Sequence, residues 1–167
     1  MSSIKIQVIP KDYAAFESEV SNLPDSPEGA AAGMILALIL YTQNPQDGEK
    51  ALGLVVHPGQ LNPASEVKSL GKRSLDLIKR QIGGKPAHMY SYFTGTSPQD
   101  GYNLENPPYN LDFSTNPHSG QPADGRVRLF IRSTGADSPR PITVQADSDE
   151  KWKTAEWSSL LSGIRGF

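Results

Sequence analysis

The stretch PEGAAAGMILALILYTQ, residues 27–43, decides the fold because it contains the most apolar run of the chain, residues 30–41. Ser26 suits a helix N-cap, Pro27 suits the first helical position, and Glu28 favours the positive end of the helix dipole. The apolar run is shorter than the ~18 to 20 residues that a membrane-spanning helix needs. We therefore predict a buried core helix over residues 27–43 and no insertion into a membrane.

One further helix is predicted on each side of this core helix. Asp12 can cap the earlier one, whose apolar residues recur on one face at Tyr13, Phe16 and Val20. Asn44 can cap the later one, which should stop at the His-Pro-Gly sequence of residues 57–59. The apolar run at 51–56 is short, so a strand there would also fit.

A fourth helix is predicted over residues 64–82, with Gly83 and Gly84 ending it. Its apolar positions share one face: Leu75, Ile78 and Ile82. Positive charge is concentrated elsewhere on it: Lys68, Lys72, Arg73, Lys79 and Arg80. Such a patch can bind an anion or nucleic acid, but we interpret it as the ordinary polar face of an amphipathic helix because the whole chain is acidic.

Residues 85–125 change in character, because glycine and proline interrupt them every few residues. Aromatic side chains are interleaved with these breakers: Tyr90, Tyr92, Phe93, Tyr102, Tyr109 and Phe113. Aromatics at that density predict an ordered, loop-rich segment that wraps around the core, and no domain boundary.

Residues 126–157 have the alternation of an antiparallel sheet. Apolar residues alternate with polar ones in each of its predicted strands, as at Val127, Leu129, Ile131, Ile142 and Val144. A polar turn at 147–150 should join the last two strands, and strands near 4–9 and 109–114 can complete the sheet. We predict a single α+β domain over residues 1–167, in which N-terminal helices (about 11–83) pack on a C-terminal antiparallel sheet and long loops are ordered.

Charge and composition narrow the class of protein. A formal net charge of −2 gives no general attraction to phosphate backbones, so we expect no nucleic-acid partner. The absence of cysteine excludes disulfides and a thiolate nucleophile. The first ten residues lack the pattern of a secretory signal, so the predicted location is the cytoplasm.

Motifs for metal, nucleotide or nucleophilic chemistry are missing from the sequence. The three histidines, His57, His88 and His118, form no metal-binding pair, and we interpret them as surface residues of predicted loops. Residues 147–150 are acidic but lack the order of a calcium loop, so we read them as a solvated turn. Neither a nucleophile elbow nor a phosphate-binding loop occurs. We therefore predict no metal site and no cofactor.

The loop at residues 135–141, GADSPRP, combines charged and hydroxyl side chains with two prolines. The prolines on either side of Arg140 hold the backbone extended, so we predict a rigid structural connection in which Arg140 pairs with Asp137 or Glu156. The alternative is a receptor for a carboxylate or phosphate. Strand alternation places Glu156 on the same face as Trp152.

Two motifs resemble the hallmarks of an uncharacterised bacterial family that is a domain of unknown function. They are S-Y-F-x-G-T-S-P, at residues 91–98, and S-S-G-A-D-S-P-R-P, at residues 133–141, where Thr134 replaces the second serine. The resemblance also includes residues 26–54 and 152–165, and it extends over nearly the whole chain. It implies a bacterial protein but transfers no catalytic residue.

The predicted function is that of a small non-enzymatic binding or accessory module, with its protein or small-molecule partner against the sheet face and its loops. The candidate contact residues are Tyr92, Phe93, Tyr109, Arg132, Asp137, Arg140, Glu156 and Trp157. Aromatic and arginine side chains are the types that dominate binding at interfaces. The alternative is an enzyme with a pocket between helices and sheet, using Asp137, Arg140 or Glu156 for acid–base or anion-holding roles. A structural assembly component is a third hypothesis.

Overall fold

The structure is a computed structural model that describes residues 2–63 and 68–167. Over those residues the chain forms five α-helices and a five-stranded antiparallel sheet in one α+β domain, as predicted. The elements in chain order are β1 (Ser2–Ile6), α1 (Tyr13–Ser21), α2 (Pro27–Gln43), α3 (Pro45–Val55), α4 (Lys72–Ile82), α5 (Pro86–Tyr90), β2 (Tyr109–Ser114), β3 (Arg126–Ile131), β4 (Arg140–Ala146) and β5 (Trp152–Glu156).

α2 is the axis of the domain. Its bounds are those predicted, and the Ser26 hydroxyl accepts a hydrogen bond from the Gly29 amide at 3.1 Å. Residues 31–40 are buried without exception, since α2 contacts α1, α3 and α5 on one side and the sheet on the other. Over the described ranges, every helix falls short of the length and apolarity that a membrane crossing requires.

The helices on either side of α2 also begin at the predicted caps. Asp12 accepts a hydrogen bond from the Ala15 amide at 2.8 Å, and Asn44 accepts one from the Asp47 amide at 3.2 Å. Residues 51–55 are helical. Of residues 51–56, which could also have formed a strand, only Val56 pairs with a strand, through an isolated parallel bridge with Thr154 of β5.

α4 begins at Lys72, whereas the predicted helix begins at residue 64. The prediction is therefore wrong for residues 68–71. Residues 64–67 lie outside the described residues, and residues 68–71 are not helical. Leu70 forms an antiparallel bridge with Leu61, and Gly71, the N-cap, is extended at φ −65° and ψ 159°. This pairing uses the backbone just before α4 and delays the helix.

The sheet is a simple meander in the order β1-β2-β3-β4-β5, with each strand antiparallel to its neighbours. The expected strand at 109–114 is β2, whereas the strand expected near 4–9 is β1, which begins at Ser2 and ends at Ile6. One face is buried against the helices, and cross-strand pairs such as Ile4 with Leu111 and Leu129 with Ile142 lie on it. The other face is open and largely polar.

A β-bulge in β5 overturns the predicted orientation of Glu156. Thr143 pairs with Glu156 but Val144 pairs with Thr154, so Ala155 is an extra residue in the ladder. One extra residue moves the next side chain to the opposite face. Glu156 therefore lies on the open face beside Thr143, while Trp152 belongs to the other face.

Residues 85–125 contain one short α-helix, α5, that the sequence pattern did not indicate. Pro86 occupies its first turn. Several aromatic side chains of the segment are buried: Tyr92, Phe93, Tyr102 and Phe113.

Candidate functional site

The two sequence motifs, residues 91–98 and 133–141, pack directly against each other. The Ser133 hydroxyl donates to the Ser91 hydroxyl at 2.8 Å, and the Thr134 amide donates to the Ser91 carbonyl at 2.8 Å. The hydroxyls of Thr96 and Thr134 are 2.8 Å apart. Ser91 and Ser133 are both buried. The motifs therefore meet as a buried hydrogen-bonded network that joins two loops.

Residues 158–165, which we call the C-terminal segment, close over this network. Arg140 Nη2 donates to the carbonyls of Ser162 and Gly163, at 3.2 and 2.9 Å. The Tyr92 hydroxyl donates to the Leu160 carbonyl at 2.8 Å. Asp137 pairs instead with Arg165. The predicted pairing of Arg140 with Asp137 or Glu156 is therefore wrong, because the C-terminal segment supplies backbone acceptors to Arg140.

Gly135 shows how tightly this loop is packed. A Cβ atom at this position would lie 2.2 Å from the Tyr102 hydroxyl oxygen and 2.8 Å from Ile164 Cγ2. The Tyr102 hydroxyl itself donates to the Arg165 carbonyl at 2.6 Å. The contacts of the loop are therefore those of a structural connection between β3 and β4.

His88 is 1% exposed, so its interpretation as a surface histidine is wrong. Its ring lies under the C-terminal segment, with Nε2 2.8 Å from the Leu160 carbonyl. A carbonyl oxygen only accepts, so Nε2 carries the proton and donates. Burial lowers the pKa of His88, and the positive charges of Lys85 and Arg140 lower it further, against an opposing contribution from the Leu160 bond. Among the described residues, the buried Nδ1 atom has no hydrogen-bond partner.

Three of the predicted contact residues are buried in the core. Tyr92 and Phe93 are each 1% exposed, and Trp157 is 9% exposed. Burial raises the pKa of Tyr92 far above its ordinary value, so its hydroxyl is a hydrogen-bond donor at neutral pH. The Phe93 ring packs against the half-buried Tyr109 ring, with centroids 5.7 Å apart.

The exposed candidates lie on separate surfaces. Glu156 is on the open sheet face, where Arg126 Nη2 lies 3.2 Å from its carboxylate and the Thr143 hydroxyl donates to it at 3.1 Å. Arg132 and Asp137 are exposed in the chain after β3. The structure therefore brings Tyr92, Asp137 and Arg140 to one region but leaves Glu156 apart from them.

A cleft of about 380 Å³ opens elsewhere, between the helices and the β4–β5 hairpin. We call it the α2–β5 cleft. Five side chains form its apolar wall. Val20 lies in the last turn of α1, and Leu23 lies just after that helix. Leu54 and Val55 end α3, and Trp152 is the first residue of β5.

Small residues of α2 form the floor of the α2–β5 cleft: Gly29, Ala30 and Gly33. A Cβ atom at Gly33 would lie 3.5 Å from Val55 Cγ1 and 3.8 Å from Val20 Cγ2, which are ordinary contact distances. At Gly29 it would lie 1.9 Å from the Pro24 carbonyl oxygen. Packing thus requires glycine at 29 but would tolerate alanine at 33, where the missing methyl group leaves room in the cleft.

Two lysines and one aspartate also line the cleft. Lys151 Nζ lies 3.8 Å from the Asp25 carboxylate, and both side chains are largely exposed. Lys153 Nζ donates to the Leu54 carbonyl, in the last turn of α3, at 2.7 Å. Burial lowers the pKa of Lys153; Asp147 opposes this effect, and Lys68 and Lys151 add to it.

Sequence reasoning missed this cleft, although it placed an alternative pocket between helices and sheet. The available signal was the small-residue spacing Gly29, Ala30 and Gly33 in an otherwise bulky helix, together with Trp152 and Lys153 in one strand. Among the described residues, no group of three or more histidine, aspartate or glutamate side chains is arranged to hold a metal ion.

Fold and cleft together define a small α+β domain with an amphipathic cleft between its helical layer and its sheet edge. The chain belongs to the family described as Domain of unknown function (DUF6935), whose model matches residues 8–167. Neither a curated protein nor a solved structure matches the chain significantly.

Proposed function

We propose that the chain is a binding module whose α2–β5 cleft holds a small organic ligand. The observation that carries the proposal is the composition of the cleft, in which apolar walls and a few charged groups line an open volume of about 380 Å³. Ligand sites in proteins have volumes of roughly 300 to 1,000 Å³ and are lined in this way. The predicted alternative, an enzyme using Asp137, Arg140 or Glu156, receives no support from the cleft because none of these residues lines it.

Trp152 supports the proposal because it is only partly buried although it adjoins the core. A tryptophan ring offers a large apolar surface with little conformational entropy to lose on binding. A protein partner that contacts the exposed residues Arg132, Asp137 and Glu156 stays a prediction.

The test uses N-phenyl-1-naphthylamine, an uncharged apolar dye whose emission rises in apolar surroundings. We expect the wild-type protein to bind it, and Ala30→Leu to weaken binding by about tenfold or more because the larger side chain fills the cleft floor. Ala14→Leu is the matched control, since Ala14 is exposed on α1 and does not line the cleft. Equal dye binding by Ala30→Leu and wild type, or no binding by wild type, would reject the proposal.

A further inference from the structure

We infer that the ligand of the α2–β5 cleft is a small organic anion with an apolar body, held through Lys153. This inference rests on the proposed function and specifies the ligand class. Lys153, Trp152 and the small residues of α2 all line the cleft. In this proposal the anionic group binds the Lys153 ammonium, and the apolar body lies between Trp152 and those small residues.

The two lysines that line the cleft differ in whether a carboxylate lies within ion-pair distance. Lys151 lies opposite Asp25 at 3.8 Å, so these two charges compensate each other at the mouth. In the part of the chain that the structure describes, no carboxylate forms an ion pair with Lys153. Among the described residues, Lys153 is therefore the cleft cation that lacks a carboxylate within ion-pair distance.

Lys153 also retains hydrogen-bonding capacity. An ammonium group has three N–H donors, and the described residues supply one acceptor, the Leu54 carbonyl at 2.7 Å. Toward the described residues the two remaining donors make no hydrogen bond, and we propose that a ligand takes them. Charge-assisted bonds from an ammonium to a carboxylate are about twice as strong as bonds between neutral groups.

The surroundings of Lys153 strengthen its attraction for an anion. The side chain is half-buried, and opposite charges attract more strongly where water is excluded. The residue faces charged groups of both signs: Asp147, Lys68 and Lys151. The first turn of α2 also lines the cleft and brings the positive end of its dipole, which Glu28 partly offsets.

A purely structural role for Lys153 makes a different prediction. Its bond to Leu54 satisfies a carbonyl in the last turn of α3, as a C-terminal cap does. If this were its whole role, removal of the charge would lower stability without changing which ligands bind. The decisive readout is therefore selectivity between a charged ligand and an uncharged one.

The experiment displaces bound N-phenyl-1-naphthylamine with decanoate or with 1-decanol, which have the same chain length and differ in charge. We expect wild type to prefer decanoate by about tenfold. Lys153→Met should lose that preference, Lys153→Arg should retain it, and Lys5→Met should behave as wild type, since Lys5 lies exposed on β1 outside the cleft. Equal affinity of wild type for the two ligands, displacement by neither, or a preserved preference in Lys153→Met would overturn the inference.

The pH dependence of wild-type binding provides a second test that needs no variant. Because the pKa of Lys153 is lowered from 10.5, the affinity for decanoate should fall as pH rises toward 10.5, whereas dye affinity stays constant. A flat decanoate profile would contradict the inference. Dye binding that Ala30→Leu abolishes, without a preference for decanoate, would reject the anion but keep the binding cleft, whereas failure of the dye itself to bind would reject the proposed function.

Discussion

At the scale of single residues, His88 shows how burial changes the chemistry of a side chain. Its Nε2 atom donates a hydrogen bond to the Leu160 carbonyl, and its buried Nδ1 atom has no hydrogen-bond partner among the described residues. Protonation would place a charge in a desolvated site near Lys85 and Arg140. The folded protein therefore favours the neutral ring.

His88 should make the free energy of unfolding depend on pH. Its folded-state pKa lies below the ordinary 6.5, so its contribution is complete above pH 6.5 and is lost as pH falls through the folded pKa. We expect His88→Gln to show a smaller loss of stability than wild type between pH 7.5 and 5, measured by urea unfolding. His118→Gln, at an exposed position, is the matched control for the substitution. Identical slopes for His88→Gln and wild type would show that the ring does not titrate as described.

At the scale of elements, α2 contains two glycines in different surroundings. A side chain would clash at one of them and would fit at the other. Gly29 approaches the Pro24 carbonyl too closely for any side chain, whereas Gly33 faces Val55 and Val20 across an ordinary contact distance. Glycine inside a helix costs about 0.5 to 1 kcal/mol relative to alanine. Gly33 therefore lowers helix stability at a place where packing does not demand it.

Gly33→Ala should raise the free energy of unfolding by about 0.5 to 1 kcal/mol and weaken dye binding, because the added methyl group enters the cleft. Gly29→Ala is the control for position, and it should lower stability because the Cβ atom collides with Pro24. Chemical denaturation and dye titration of the same samples measure both quantities. If Gly33→Ala stabilises the protein but leaves the dye affinity unchanged, the space at Gly33 does not contribute to ligand binding.

At the scale of the whole molecule, a hydrogen-bonded network links several segments of the chain that follow the N-terminal helices. The motifs at 91–98 and 133–141 bond to each other, and Arg140 then bonds to the C-terminal segment. The network connects the start of β4 to segments that the sheet does not join. The buried Ser133 hydroxyl donates to the Ser91 hydroxyl, which in turn donates to the His88 carbonyl.

Arg140→Ala should lower the free energy of unfolding by about 1 to 3 kcal/mol, since two carbonyl acceptors lose a charged donor. Arg132→Ala removes an exposed arginine from the same region and should change stability by no more than about 0.5 kcal/mol. Thermal and urea unfolding provide the comparison. An Arg140→Ala protein as stable as Arg132→Ala would mean that the C-terminal segment is held without this side chain.

The correct and incorrect predictions differ in the sequence distance of the interactions that decide them. Asp12, Ser26 and Asn44 were identified as caps because each bonds an amide three residues away. The start of α4 and the face of Glu156 were wrong because they depend on the Leu61–Leu70 bridge and on the β4–β5 bulge. Neither pairing has a local signature.

Residue type alone indicates neither the burial of a side chain nor its hydrogen-bond partners. Tyr92 was chosen because aromatics are frequent in binding sites, yet aromatics also fill cores, and Tyr92 is buried. Arg140 was assigned a carboxylate partner, but backbone carbonyls 22 and 23 residues later bind it. Only the packing of the C-terminal segment distinguishes these cases.

By itself the sequence determined the helices α1 to α3, their caps, the strand pattern and the α+β class, because hydrogen bonds and apolar periodicity act over a few residues. Tertiary structure alone decided the burial of His88, the partners of Arg140 and the α2–β5 cleft. Lys153 meets the Leu54 carbonyl across 99 residues of chain. Such contacts form only when the packing of the whole domain brings distant segments together, and no local pattern encodes them.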